Sequence, residues 1–413
     1  MKMKSLSDEK LSIYLFIIVW TAYAVVFMTK NCYSAAMAAI VSDGILTKTQ
    51  TGAISAVFYL VYAPMQIVGG FAADRYSTRK LMLIGLIGAG VANLIIYVTQ
   101  NYAVMMITWA CNAMIQFGIW PSVFKIVSTQ LAAAHRPKCV FYISAASLFG
   151  LILSYICAAF VKQWQYNFLI SAVLLFAVAV IWLFTSKFFE KHMVYEEREY
   201  KKAEKIKPGQ NESMLKTVFK SGLILLAVAA AVRGMLDLGI KALTPVMITE
   251  SYAAISPSLA TGLNTVLIVA GFFGLYIARI LFPGRVHDES SSLAILFFIT
   301  IPALCVIIMV GKISAWAVVI ALALIVMLMS GAGQFTNLYI ADRFRKSGRC
   351  ATVSGILNGA ASFGVVIANY MFAKLADDFG WRTTVESWIA LAVLAMLFSL
   401  AAVPLWRKFL KQM

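Results

Sequence analysis

An all-helical membrane protein of twelve transmembrane spans, arranged as two six-helix bundles, is the fold class this sequence predicts. Three observations carry the prediction. The chain is 62% hydrophobic and 13% charged, whereas soluble domains carry about a quarter charged residues. Its apolar residues fall in twelve runs long enough to cross the hydrocarbon layer, which takes about 20 residues at roughly 1.5 Å each. None of the runs alternates polar and apolar at every second residue, as the strands of a membrane barrel do.

The spans are expected near 11–39, 49–73, 80–99, 102–131, 139–161, 166–187, 218–249, 257–282, 291–311, 314–341, 349–374 and 383–404. The polar stretch Met1 to Lys10 precedes an apolar run too long for a signal-peptide core, so the first span is expected to stay. Of the 35 Lys and Arg, 26 lie in the N-terminal stretch, in the loops after spans 2, 4, 6, 8 and 10, and at the C-terminus. Five (Lys48, Lys162, Lys312, Lys374 and Arg382) lie in the other loops. The positive-inside rule therefore places both termini in the cytoplasm, for a multi-pass protein of the cell inner membrane. The net charge of +17 is accounted for by this topology, and nucleic acid is not expected as a partner. The six cysteines lie in or at the ends of spans and read as free thiols. The triplet Asn211-Glu212-Ser213 falls in a cytoplasmic loop and reads as a chance match to a glycosylation site.

Composition changes abruptly at Lys187. Residues 188–217, with Lys201, Lys202, Lys205 and Lys207, read as a solvated linker lying on the anionic inner leaflet, the alternative being a regulatory site. The linker divides the chain into an N-terminal bundle, 1–187, and a C-terminal bundle, 218–413. The halves repeat. Lys138-Cys139 opening span 5 corresponds to Arg349-Cys350 opening span 11, and Trp164-Gln165-Tyr166 before span 6 to Trp381-Arg382-Thr383 before span 12. Such repeats are the mark of secondary transporters with a midplane site between the halves.

Between spans 2 and 3 lies Gly70-x-x-x-Asp74-Arg75-x-x-x-Arg79-Lys80. It resembles the signature loop of the major facilitator superfamily, with the second glycine of that signature replaced near Ser77. The copy after span 8, Gly274-Leu275-Tyr276-Ile277-Ala278-Arg279, keeps glycine and arginine but has alanine at the aspartate position. In span 4, Gln116-x-Gly118-x-Trp120-Pro121-x-x-x-Lys125 resembles the Trp-Pro segment of the organophosphate:phosphate antiporter family, in which a cation follows. In span 1, Lys30-Asn31-Cys32-Tyr33-Ser34 resembles the segment carrying that family's substrate-binding arginine, with Lys30 in its place. Span 7 departs from the pattern: Asp237 stands where the second binding arginine is expected, and Arg233 lies one turn earlier.

Four cations lie inside spans, and together they would cost about 10 kcal/mol unless water, counterions or a ligand meet them. Lys30 reads as a cavity-facing anion ligand or as a lysine snorkelling to the outer headgroups. Arg233, Asp237 and Lys241, spaced i, i+4, i+8, share one helix face. They read either as a structural ion-pair ladder or as a binding and coupling ladder in which Arg233 meets substrate and Asp237 carries the coupling. Lys125 reads equally as substrate guide and as inward snorkel. The expected substrate-binding set is Lys30, Arg233, Tyr33, Tyr62, Gln116, Trp120, Lys125, Lys241 and Asn358. Tyr59, Gln66, Asn264, Gln334 and Asn337 are expected near the path. The expected gate is Gly70, Asp74, Arg75, Arg79, Lys80 and Arg349: the Asp74 carboxylate can face the amides that open a helix, and in the family that helix is span 11.

The expectation is therefore a carrier of a small organic anion, a phosphate ester before an organic acid, working by alternating access. Moving an anion into a negative cytoplasm costs about 2.3 kcal/mol per charge per 100 mV, so import must be coupled to anion exchange, for example with phosphate, or to protons. The resemblance favours exchange, and Asp237 in place of an arginine weakens that preference. Alternatives are a proton-coupled carrier of neutral solutes or drugs, and a membrane sensor built on a transporter fold. No phosphate-binding Gly-x-x-x-x-Gly-Lys-Ser/Thr loop is present. No enzymatic activity, cofactor or metal is expected, and a monomer is.

Overall fold

The computed structural model describes residues 8–132, 134–192, 214–255 and 257–412, and the described residues are almost wholly helical. The first six helices are α1 (Asp8–Ser42), α2 (Lys48–Arg75), α3 (Thr78–Val98), α4 (Tyr102–Thr129), α5 (Arg136–Phe160) and α6 (Gln165–His192). A short helical piece, Met214–Lys220, precedes α7 (Leu223–Ser251), α8 (Pro257–Arg279), α9 (Glu289–Ile307) and α10 (Ala315–Arg343). The last helical stretch, Cys350–Leu410, has 61 residues and would measure about 90 Å if unbroken, three times the hydrocarbon thickness. Gly380 breaks it, at φ 79° and ψ 172°, a conformation open to glycine. The two parts, 350–379 and 381–410, are α11 and α12. The twelve expected spans are all present. The expected linker, 188–217, and Asn211-Glu212-Ser213 lie largely outside the described residues.

Helix starts are built by short polar side chains, as backbone amides in a membrane must be satisfied locally. Thr47 and Gln50 form a reciprocal capping box at α2. Asn101, Asp288 and Ser314 accept from the amides of Val104, Ser291 and Ala317 at α4, α9 and α10. Four helices are less regular than the apolar runs suggest. A 3-10 turn, Gln116–Gly118, interrupts α4. Wide π turns occupy Met235–Gly239 in α7 and Phe335–Tyr339 in α10, and another, Ile280–Arg285, follows α8. The expected start of span 7 at 218 is also corrected: Gly222, at φ 71°, separates the Met214–Lys220 piece from α7.

By proximity the helices form two units. The first holds α1 to α6 together with Ala341–Gly359, and the second holds the rest of the chain from α7 onward. The first unit thus includes the end of α10, the loop after it and the start of α11, all of which the sequence reading assigns to the C-terminal bundle. Each unit has its own close helix pair of the same kind. A Cβ on Gly69 of α2 would lie 1.9 Å from the Phe117 carbonyl oxygen of α4, and one on Gly274 of α8 would lie 2.0 Å from that of Met327 in α10. The two contacts are alike, although the sequence copy sets Gly274 against Gly70 rather than Gly69. An aromatic cluster anchors the first unit, where Tyr33, Trp109 and Phe168 pack with ring centroids 5.4 to 6.4 Å apart. In the second unit, Arg407 of α12 pairs with Asp288 at 2.8 Å, and Trp406 donates to Glu289 at 2.9 Å, tying the ends of α12 and α9. Large apolar side chains such as Phe160 (85% exposed) and Ile320 (68%) point outward, as hydrocarbon permits and water does not.

Candidate functional site

Lys30 lies on α1, half-buried, with no carboxylate partner among the described residues. Its ammonium sits 3.7 Å from the ring centroid of Tyr62, and 5.3, 5.6 and 5.5 Å from those of Phe27, Phe58 and Tyr59. Helix geometry makes this cage: Phe27 is one turn before Lys30 on α1, while Phe58 and Tyr62 are one turn apart on α2 with stacked rings. Ring faces attract a cation with about 0.5–2 kcal/mol, so the charge is tolerated there while no anion neutralises it.

In the second unit, Arg233, Asp237 and Lys241 stack along α7 as their spacing predicts. Asp237 Oδ1 accepts from Lys241 Nζ at 2.6 Å, and Oδ2 accepts from Arg233 Nη1 at 3.4 Å. Asp237 lies inside the π turn Met235–Gly239, a feature that recurs at functional sites. The shorter bond assigns the carboxylate chiefly to Lys241. Arg233 keeps a buried Nε with no hydrogen-bond partner, as do both amide atoms of Gln334 on α10. The guanidinium rests on Gly333, where a Cβ would stand 3.2 Å from Nη1.

A third cluster joins α2, α4 and the start of α11 in the first unit. The Asp74 carboxylate accepts from the amides of Ala351 at 3.2 Å and Thr352 at 2.7 Å, the contact expected of it. Gly70 lets the backbones touch, since a Cβ there would lie 2.6 Å from the Ala351 carbonyl oxygen. Along α11 the Trp120 indole donates to Ser354 at 3.0 Å, and Asn358 donates to Gln66 Oε1 at 3.0 Å. Lys125, expected either to guide substrate or to snorkel inward, donates to the carbonyl oxygens of Ala73 at 2.8 Å and Asp74 at 3.2 Å. There it satisfies the open carbonyls at the end of α2, as cations near helix ends do. Arg75 is the last residue of α2, and after Tyr76 and Ser77 the chain enters α3 with Arg79 and Lys80 in its first turn. The Trp182 indole donates to the Arg79 carbonyl oxygen at 3.1 Å, fixing that turn, and Arg349 directly precedes α11.

Other expected residues separate from these clusters. Tyr33 is 1% exposed, its ring lies in the aromatic core, and its hydroxyl donates to the Thr51 carbonyl oxygen at 3.3 Å, so it is occupied by packing. Gln116 donates to Asn112 Oδ1 at 2.7 Å within the 3-10 interruption. The side chain of Asn264 lies outside the described residues. The sequence reading missed Phe27 and Phe58 in the cage, and Ser354 and Arg345 at the α11 contact, where Arg345 donates to the Ser128 carbonyl oxygen at 3.3 Å. The aromatic spacing around Lys30 was the signal available for the first pair. For Ser354 and Arg345 no local signal exists, because their partners are more than 200 residues away in sequence.

Several known proteins resemble parts of this chain. Membrane sensor protein UhpC of Salmonella typhimurium is 33% identical over 103 residues, 25% of this chain and 23% of its own length. A probable hexose phosphate transport protein of Chlamydia trachomatis is 24% identical over 122 residues, 30% of this chain and 27% of that one. The hexuronate transporter of Escherichia coli is 26% identical over 199 residues, 42% of this chain and 41% of that one. The matched segments therefore span only a quarter to two fifths of these relatives. The crystal structure of the transporter FucP in the outward conformation matches with a TM-score of 0.68 at 13% identity, covering 95% of this chain and 99% of that one, a likeness of fold. Residues 19–352 match the pattern of the Major Facilitator Superfamily, and the chain belongs to that family of membrane transporters.

Proposed function

We propose that this transporter carries a phosphate monoester, with Lys30 and Arg233 as the groups that bind its anionic end. The observation that carries the reading is Lys30 itself, a cation in a membrane helix with aromatic rings around it and no carboxylate partner among the described residues. An intramembrane charge held in that state marks a site for a counter-charge. Charge supports the choice of anion: a phosphate monoester carries about −1.5 to −2 at neutral pH, more than a single carboxylate, and so gains more from meeting a cation inside the membrane. The hexose phosphate transport relative points the same way, and the hexuronate transporter keeps organic acids as the next candidates.

Coupling is proposed to run by exchange for phosphate or by protons through Asp237, whose carboxylate sits between two cations that compete for it. Asp74, with Lys125 behind it, is proposed as a latch that holds α2 to α11 and releases them in the transport cycle. The protein is proposed to sit in a cell inner membrane with both termini cytoplasmic. One specific observation favours a second reading: the membrane sensor protein UhpC is among the relatives, so this chain would bind its anion and report it without moving it.

Counterflow in reconstituted vesicles tests both. A panel of labelled phosphate esters and carboxylates is offered to the wild type, Lys30→Ala and Arg233→Ala. Carrier function predicts uptake of a phosphate ester that both substitutions abolish. Binding without uptake supports the sensor, and full uptake in both variants removes the site assignment.

A further inference from the structure

Gln334 of α10 is a carboxamide that the second unit buries without using. It is 1% exposed, and neither Oε1 nor Nε2 has a hydrogen-bond partner among the described residues. Its neighbour Gly333 meets α7: the Arg233 guanidinium rests against that glycine, where a Cβ would stand 3.2 Å from Nη1. The Arg233 side chain is 11% exposed, and its Nε likewise lacks a partner among the described residues. Two buried side chains with open hydrogen-bonding atoms therefore lie at one contact of α7 with α10. The backbones around them are fixed. Gly234 brings α7 onto α11, since a Cβ there would lie 2.1 Å from the Ala361 carbonyl oxygen, and Gly274 brings α8 onto α10. Directly beyond Arg233 and Gln334 each helix opens into its π turn, Met235–Gly239 and Phe335–Tyr339, the kind of irregularity that recurs at functional sites. The residues after Gln334 offer it little. Phe335 and Leu338 are fully buried apolar side chains, and the Thr336 hydroxyl turns back onto the carbonyl oxygens of Ala332 and Gly333, both at 3.4 Å. A buried donor or acceptor without a partner is costly, and helices packed backbone to backbone cannot shift to supply one.

The chemistry of the amide selects its partner. One plane holds an acceptor, Oε1, and the donors of Nε2. A phosphate dianion or a carboxylate only accepts and would leave Oε1 facing a like charge, whereas an ammonium only donates and would leave Nε2 open. A hydroxyl does both, and two adjacent hydroxyls of a sugar meet both amide atoms at once. We propose that Gln334 is a specificity-determining residue that binds hydroxyl groups of the substrate, so that the carried anion is a polyhydroxylated one, as a sugar phosphate is and an alkyl phosphate is not. The proposal rests on the reading that Arg233 binds the anionic end. It divides recognition between neighbours: the guanidinium takes the charge and the carboxamide takes the hydroxyls.

Pairs of anions with the same charged group test it, by calorimetric titration into purified full-length protein: glucose 6-phosphate against n-butyl phosphate, and glucuronate against hexanoate. A site built to hydrogen-bond a hydroxyl rejects the analogue that lacks it, so the wild type is expected to prefer the sugar of a pair by about tenfold or more. Gln334→Met keeps the length of the side chain and loses both polar atoms. In that variant the affinity for the sugar falls, and the preference shrinks to about threefold or less. A wild type without the preference overturns the proposal, a result that needs no variant to fold. So does a Gln334→Met that keeps the full preference, or one whose preference shrinks only because the alkyl anion binds better. The premise is read separately in Arg233→Met. Unchanged affinity there for all the anions refutes Arg233 as their ligand and leaves the hydroxyls to Gln334. A wild-type preference confined to the carboxylate pair refutes the phosphate ester and keeps Gln334, and a wild type that binds none of these anions refutes both.

Discussion

Lys30 in the first unit and the Arg233–Asp237–Lys241 ladder in the second are both charges placed inside the membrane, and they are stabilised in opposite ways. The ladder closes on itself: its carboxylate reaches Lys241 at 2.6 Å and Arg233 at 3.4 Å on the same helix. Lys30 has aromatic rings on both its own helix and α2 but no carboxylate among the described residues. A buried ion pair is tied to its partner, and removing one member leaves the other uncompensated. A cation held by rings can exchange them for a stronger counter-charge with little disruption. The ladder is therefore expected to matter first for stability and Lys30 first for binding.

The largest effect expected from breaking this contrast is in the ladder. Asp237→Asn leaves two cations facing each other on α7 and should destabilise the protein by about 3–5 kcal/mol, read as a lowered melting temperature in detergent. Adding Lys241→Met should recover part of that loss, since it removes the cation left without its main partner. Asp74→Asn should be milder. It keeps an acceptor but loses the negative charge facing the Ala351 and Thr352 amides, a change of about 0.5–2 kcal/mol, seen as faster hydrogen exchange at those two positions. The smallest effect is predicted for Tyr33→Phe: about 1 kcal/mol of stability from the lost bond to Thr51, with uptake retained. A loss of uptake there at normal stability would return Tyr33 to the substrate path.

Much of this contrast was legible in the sequence, for different reasons at each place. Hydropathy marks membrane helices because the bilayer demands long apolar runs, so all twelve spans and the break near Gly380 could be read. The π turns could not, since one extra residue per turn leaves the average hydropathy of a span unchanged. The ladder was visible because charges at i, i+4 and i+8 stand out in an apolar helix, and the partner of Asp74 was implied by the family resemblance. The cage around Lys30 was only half visible. Tyr59 and Tyr62 drew notice as polar aromatics, whereas Phe27 and Phe58 look like any lipid-facing or core phenylalanine until the packing of α1 on α2 is known. Lys125 shows the converse: a cation near a Trp-Pro segment suggested a ligand, and its carbonyl partners at the end of α2, some 50 residues back in the chain, give it a different employment.

The central claim, that the caged cation is the anion's ligand, is tested most directly by calorimetric titration of glucose 6-phosphate into the purified wild type and Lys30→Met. The account predicts that Lys30→Met keeps a melting temperature near that of the wild type, because no ion pair is lost. It also predicts that affinity falls about 10–100-fold, the worth of one charge-assisted contact. Affinity within about twofold of the wild type, a difference below roughly 0.5 kcal/mol, would contradict it.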